Sequence, residues 1–380
     1  MFEGRLPKRH LAAFTAALLV AGCKVIPTAP KDIPPPPVDA LPNDQQRHRI
    51  ALLVPMTGAN AGIGQAIANA TTMALLDTNA KSIRITTYDT ANGAGAAAKR
   101  AISEGARLIL GPLQAEDVAP IAGVARAARI PVITYSSDEG VASRDVFQLG
   151  TTPVNSINRT VSYARGRGAM RFGLLAPSGD YGSRATAAFT SAVRASGGTL
   201  IASTSYDRSN TSVISAAQRL RQRGTFDAIL IADGTRFAVL AAPNLKSGAA
   251  ASPRLLGTEL WSGESGVAKT PSLRGAWFAA VADNRFRQFA DSYKTRFGSA
   301  PYRMATMGYD SVLLTVRIAR DWKVGTPFPT ARLIDRDGFL GLDGPFRFGA
   351  NGIIERALEV REARAGTVSV VSAAPARFAD

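Results

Sequence analysis

The residues that do most enzyme chemistry are scarce in this chain. It has one cysteine, Cys23, and two histidines, His10 and His48. Cys23 and His10 fall near the amino terminus, and His48 closes a proline-rich run, so the body of the chain can build neither a His-dependent nucleophile nor a multi-histidine metal site. A single thiol allows no internal disulfide. No Gly-Lys-Ser/Thr phosphate loop occurs, and Gly62-x-Gly64 only hints at a dinucleotide turn: Ile67 stands where the third glycine belongs, and the loop is long for a pyrophosphate. What remains is binding chemistry. Thr57, Gln114 with Ala115 beside it, Tyr135, Ser136, Ser137 and Asp233 stand just beyond apolar runs, where hydroxyl, amide and carboxylate groups can hydrogen-bond a small polar ligand. These residues predict a ligand cleft in a protein that is not an enzyme and needs no cofactor and no metal.

The elements that must position those groups read as alternating strands and helices. Arg107 to Ser137 gives strand, turn, helix, strand: Leu108–Leu110 is a short apolar run, Gly111-Pro112 stops it, Val118, Ile121, Ala122 and Ala125 recur at helical spacing, and Pro131 precedes the strand Val132-Ile133. Glu116 and Asp117 suit the first turn of that helix. Parallel strands joined by helices bind ligands beyond the strands' carboxyl ends. Upstream, Arg49 to Pro55 and Ile83 to Tyr88 read as strands around a helix over 65–80. After Val146 to Leu149 a second series starts afresh, with strands at Arg171–Ala176, Thr199–Tyr206 and Asp227–Ala232. The prediction is an α/β protein of two lobes, each a parallel sheet flanked by helices. Lobe one takes 49–148 plus 276–325, lobe two 149–275 plus 326–372, and 373–380 is a loose tail. Gly338 to Phe348 and Arg356 to Arg364 read as a closing pair of strands turned by Gly349-Ala-Asn-Gly352. Trp261 and Trp277 suit core or hinge packing.

Of 380 residues, 45 are Lys or Arg and 29 Asp or Glu, for a formal net charge of +16. The charges are scattered, which fits a solvated arginine-rich surface rather than a nucleic-acid partner. Residues 1–22 have a basic start (Arg5, Lys8, Arg9) and an apolar core from Leu11 to Val20, the pattern of a secretory signal. Residues 23–48 hold Pro27, Pro30, Pro34 to Pro37 and Pro42, an extended tether that packs no core.

Val20-Ala21-Gly22-Cys23 resembles the lipobox of bacterial lipoproteins. The resemblance implies a lipid on Cys23 and attachment to a membrane. Lys24, where enterobacterial lipoproteins of the inner membrane carry Asp, favours the outer membrane. Residues 49 to about 364 resemble the type I periplasmic-binding fold of the leucine/isoleucine/valine-binding superfamily. The resemblance is carried by Leu53-Val-Pro-Met-Thr-Gly58, Leu110-Gly-Pro-Leu113, Ile130-Pro-Val-Ile133, Asp180-Tyr-Gly182, Tyr309-Asp310 and Phe339 to Gly352. In amino-acid binders of that class a tyrosine and an acid of the second lobe complete the grip, which implies Tyr181 for the first and Glu259 for the second, with hydroxyls from Ser136 and Ser137. The loop after Gly111 departs from the pattern: Gln114-Ala-Glu-Asp117 replaces a serine cluster, and its acids would repel a ligand carboxylate. Leu52 to Gly58 and Gly105 to Leu113 also resemble the lipoprotein activators of penicillin-binding proteins. The leading expectation is therefore a non-enzymatic regulator of a peptidoglycan-synthesising penicillin-binding protein, with weak or no binding of free amino acids. The alternative is the solute-binding subunit of an ABC transporter for amino acids of the branched-chain type, partnered by its permease.

Overall fold

The computed structural model describes residues 46–246 and 252–378. The signal, Cys23, the tether up to Gln45 and the last two residues lie outside them.

The first sheet is built from β1 (His48–Val54), β2 (Ile83–Asp89), β3 (Leu108–Leu110), β4 (Val132–Thr134) and β5 (Val146–Gln148), in the order β2-β1-β3-β4-β5 and parallel throughout. The alternation of side chains along β1 explains its layers. Ile50, Leu52 and Val54 enter one core with Ile67 and Ala74 of α1 (Ala61–Asp77). Ala51 and Leu53 enter the other, with Ala98 of α2 (Ala94–Ser103) and Ile121 of α3 (Ala115–Ala127). A strand buried on both faces must be apolar at every position, as β1 is from Ile50 onward.

The second lobe repeats this plan. It adds α4 (Pro153–Gly166), β6 (Arg171–Pro177), α5 (Asp180–Ala195), β7 (Thr199–Tyr206), α6 (Asn210–Gln222), β8 (Ala228–Ile231), α7 (Thr235–Lys246), β9 (Arg254–Leu256), the short α8 (Ser265–Lys269) and β10 (Trp277–Ala280). Phe172 and Leu174 of β6 pack under α4 and α5, while Leu175 faces α6 and α7. The two lobes share one close approach. A Cβ on Gly64 would lie 1.8 Å from the Pro55 carbonyl oxygen, and one on Gly182 would lie 1.7 Å from that of Pro177. Each glycine lets the first helix of its lobe sit against the end of the first strand. Gly64 thus serves packing within the lobe rather than a pyrophosphate turn.

The chain then returns to the first lobe. α9 (Asn284–Phe297) sets Phe289 and Tyr293 against Ala66, Ala70 and Met73 of α1, and α10 (Ala305–Ala319) sends Val312, Leu314 and Ile318 into the core shared with β1. A small antiparallel sheet follows, of β11 (Phe339–Gly341), β12 (Gly344–Phe348) and β13 (Ile354–Arg356). Phe339, Phe346, Phe348 and Ile354 enter that same first-lobe core. Last come β14 (Glu359–Arg364) and β15 (Thr367–Ser372), antiparallel on the edge of the second sheet, whose order is β15-β14-β10-β9-β8-β6-β7.

Three boundaries differ from expectation. The tether ends before His48: this residue opens β1, is buried, stacks on Trp322 with ring centroids 3.7 Å apart and hydrogen-bonds the Trp322 carbonyl at 3.0 Å. The return to lobe one was expected at residue 276, yet β10 lies between β9 and β14 in the second sheet. Its Trp-Phe-Ala-Ala run is buried at every position, as a central strand requires, but an apolar run does not say which sheet it completes. Residues 326–356, assigned to lobe two, pack on lobe one through the four apolar side chains above. The stretch from Gly338 to Phe348 is itself a hairpin, turned at Leu342-Asp343, because Asp310 of α10 accepts the Leu342 N–H at 2.6 Å and pins the turn. The sheets therefore exchange chain near residues 149–152, 281–283 and 357–358.

Candidate functional site

The carboxyl ends of both sheets face one cavity of about 290 Å³. The second lobe contributes Tyr181 from the first turn of α5 and Glu259 from the 3-10 turn Glu259–Trp261 that follows β9. The turn is held from behind, where the buried Trp261 indole donates to the Asp233 carbonyl at 2.9 Å. The Tyr181 hydroxyl lies 3.0 Å from both Glu259 Oε1 and Thr258 Oγ1. Glu259 Oε2 is buried without a hydrogen-bond partner. Burial pushes the Glu259 carboxyl up to about 7, against the pull of its own backbone N–H and of Tyr181. Burial also raises Tyr181, and the neighbouring Glu259 adds to the rise, so the phenol keeps its proton.

The first lobe contributes Ser137, exposed beyond β4, and Tyr135, whose fully buried hydroxyl meets Ser311 Oγ of α10 at 2.9 Å. Tyr135 thereby ties α10 to the end of the sheet. The start of α10 supplies residues that the sequence reading missed: Arg303, Met304, Thr306 and Met307. Arg303 pairs with Asp343 at 2.7 Å and lies over the Phe286 ring, 4.0 Å from its centroid. Thr306 donates to the other Asp343 oxygen at 2.8 Å. The signal for this group was present in Tyr309-Asp310 and in the glycine-flanked Leu342-Asp343: Asp310 fixes the turn that carries Asp343. A second arginine, Arg184 of α5, faces the cavity from lobe two and approaches Asp138 of lobe one at 3.7 Å.

Several expected ligand groups are spent on local structure. Thr57 donates to Asp89 at 2.7 Å. Gln114 occupies the position just before α3 and its amide donates to Glu116 at 2.9 Å, with Ala115 the first helical residue. The Ser136 hydroxyl is buried and accepts the Asp138 N–H at 3.1 Å. Asp233 is buried and accepts from Tyr206 at 2.7 Å and Arg208 at 3.1 Å. None of these five lines the cavity, and neither do Glu116 and Asp117. Those two acids serve the first turn of α3, so the expected repulsion of a ligand carboxylate has no geometric basis. Among the described residues no group of three or more His, Cys, Asp or Glu side chains could hold a metal ion, and no helix is long and apolar enough to cross a membrane.

Structures similar to this one are solute binders. A putative branched-chain amino acid ABC transporter protein from Rhodospirillum rubrum superposes with a TM-score of 0.75 at 20% identity, covering 86% of this chain and 100% of that one. A solute-binding protein from Rhodopseudomonas palustris, solved with 3,4-dihydroxybenzoic acid, gives 0.62 at 19% identity over 88% and 97% of the two chains. A branched-chain amino acid binding protein from Streptococcus pneumoniae, solved with isoleucine, gives 0.58 at 17% over 87% and 100%. A curated relative, an uncharacterized protein of Rickettsia prowazekii, is 29% identical over 140 residues, which span 36% of this chain and 38% of that relative. The sequence profile described as periplasmic binding protein matches residues 48–367, and with it the two-lobed fold and the cavity between the sheet ends agree: the chain belongs to the periplasmic binding protein family, whose members bind solutes and are not enzymes.

Proposed function

We propose that the protein is the solute-binding subunit of an ABC transporter and holds a small amino-acid-like ligand between its lobes. The observation that carries this reading is Glu259, a carboxylate oxygen buried in the cavity with no partner. An unpaired buried acid is costly, and a ligand ammonium is the group that relieves it best. Tyr181 orients the carboxylate. Ser137 and Arg303 offer donors to the acid end of such a ligand, and Leu260, Val281, Met304 and Met307 offer apolar contact to its side chain. The neighbours supply further support, because four of them are proteins of branched-chain amino acid transporters or bind leucine.

The activator reading gave weight to the acids after Gly111, and these do not line the cavity. The transporter reading is therefore preferred over it. A periplasmic location follows from the family. Calorimetric titration of the protein with a panel of amino acids tests the proposal. Binding of at least one, weakened at least tenfold by Glu259→Gln, is expected. No binding across the panel, with a peptidoglycan synthase recovered from envelope extracts, would return the function to the activator reading.

A further inference from the structure

The second lobe has another pocket, at the end of its sheet away from the cavity. Tyr181 and Glu259 follow the carboxyl ends of β6 and β9, whereas this pocket of about 500 Å³ lies where β8 and β9 begin. Four cations line it: Arg167 just past α4, Lys246 at the end of α7, Arg254 at the start of β9, and Arg274 before β10. Its one acidic lining residue, Asp227, is already taken. Asp227 accepts the N–H groups of Met170 at 2.9 Å and Arg171 at 2.8 Å, and the Arg171 guanidinium at 2.8 Å. Those bonds, the Arg171 side chain first, hold its carboxyl down to about 2. Glu362 stands behind the pocket wall and accepts from the Trp277 indole at 2.9 Å and from Arg364 at 3.1 Å.

Two of the cations are held in place by aromatic rings. Arg254 lies over Trp277, 4.3 Å from the centroid, and donates to the Gly275 carbonyl at 2.5 Å. Arg167 lies over Tyr163 at 5.0 Å, and Tyr163 meets Trp277 edge-on at 4.9 Å. Lys246 donates to the Arg274 carbonyl at 3.2 Å. Burial and then the charge of Arg254 depress the Lys246 ammonium. Among the described residues the Arg274 side chain has no such tie to the fold.

We propose that this pocket binds a phosphate-bearing anion. Arginine forks match the oxygens of a phosphate, and four cations around a concave site answer its multiple charge better than that of a single carboxylate. The volume exceeds one phosphate group, so the natural ligand carries the phosphate on a larger body, either a soluble phosphomonoester or a lipid headgroup. The two sources share the recognition chemistry and are separated by experiment.

The test uses the full chain with Cys23→Ser, so that no lipid anchors it. Inorganic phosphate is titrated calorimetrically, and sedimentation is measured with vesicles of phosphatidylglycerol in phosphatidylcholine against phosphatidylcholine alone. Arg274→Glu should weaken the interaction at least tenfold, while Arg320→Glu, the same charge change on lobe one, should not. Should Arg274→Glu lower Tm, Lys246→Met reads the same pocket. Amino-acid binding in the cleft should survive each variant. Phosphate binding without vesicle binding assigns a soluble ligand, and selective binding to the phosphatidylglycerol vesicles assigns a headgroup. Absence of both, or equal loss in Arg274→Glu and Arg320→Glu, overturns the proposal.

Discussion

Glu259 concentrates the conflict between stability and binding in one side chain. Its carboxyl titrates near 7 in the folded chain against an ordinary value of 4.5, so the unfolded chain releases the proton first. Stability from this group is therefore full below pH 4.5, declines as pH rises to 7 and stays low above it, by up to about 3 kcal/mol. Glu259→Gln should raise Tm at pH 8, change it little at pH 4, and weaken ligand binding at pH 8 far more than at pH 4; an unchanged Tm at pH 8 would contradict the burial argument. Ligand affinity should also climb between pH 5 and 7, because an ammonium needs the ionised acid, and titration near pH 6 should release protons to the buffer. His48 acts in the opposite sense. Burial, only partly offset by its bond to Trp322, keeps its ring below the usual imidazole range, so protonation on acidification costs stability. The resemblance to amino-acid binders implied Glu259 and Tyr181, and the residues alone could not separate them from Thr57, Ser136 and Asp233. All are polar residues beyond strand ends. Only the fold shows that Asp89, the Asp138 N–H and Tyr206 claim the last three first.

At the scale of elements, the legible part was whatever a period could encode. The strands expected at Thr199–Tyr206 and Asp227–Ala232 match β7 and β8 to within a residue, whereas the helix expected over 65–80 runs from Ala61 to Asp77. Sheet membership was not legible, because it depends on partners distant in sequence. β10 and the strands β11 to β13 were assigned to the wrong lobe for that reason. The aromatic cluster that decides the latter case is testable. Phe346 is fully buried between Phe339 and Phe348. Phe346→Ala should cost about 3–5 kcal/mol and lower Tm, even though the residue touches no ligand. A loss under 1 kcal/mol, on the order of an exposed substitution, would mean that the small sheet is not part of the first core. The glycines at the strand–helix junctions make a second test. Gly182→Ala should destabilise by ~3 kcal/mol, since its Cβ would meet a backbone carbonyl that cannot step aside, and Gly179→Ala immediately before α5 meets no neighbour in that sense. The positive φ of Gly179 adds strain of a different kind, so unfolding curves of the two variants should separate clash from conformation.

For the whole molecule the question is what holds the lobes at their working separation. Each of the three crossings is clasped by side chains. Gln148 donates to the Ser136 and Gly150 carbonyls and Arg356 to that of Leu149 at the first crossing. Arg361 reaches the Val281 carbonyl and Asp283 at the second, and Arg159 the Leu358 carbonyl at the third. These bonds restrict the hinge without bridging the cavity. The Arg184–Asp138 pair does bridge the lobes, but at 3.7 Å and with each side chain about one-third exposed. Such a pair contributes ~0–1 kcal/mol and is screened by salt. It can bias closure without driving it; a ligand that meets Glu259 on one side and Ser137 or Arg303 on the other must supply the rest. Arg184→Ala should accordingly raise the ligand Kd by no more than about fivefold, and the difference from wild type should vanish in molar salt. Glu259→Gln should cost at least tenfold regardless of salt. Small-angle scattering should show the radius of gyration falling on ligand addition in wild type and in Arg184→Ala alike. Failure of Arg184→Ala to contract at saturating ligand would make the ion pair the driver of closure and the ligand its follower.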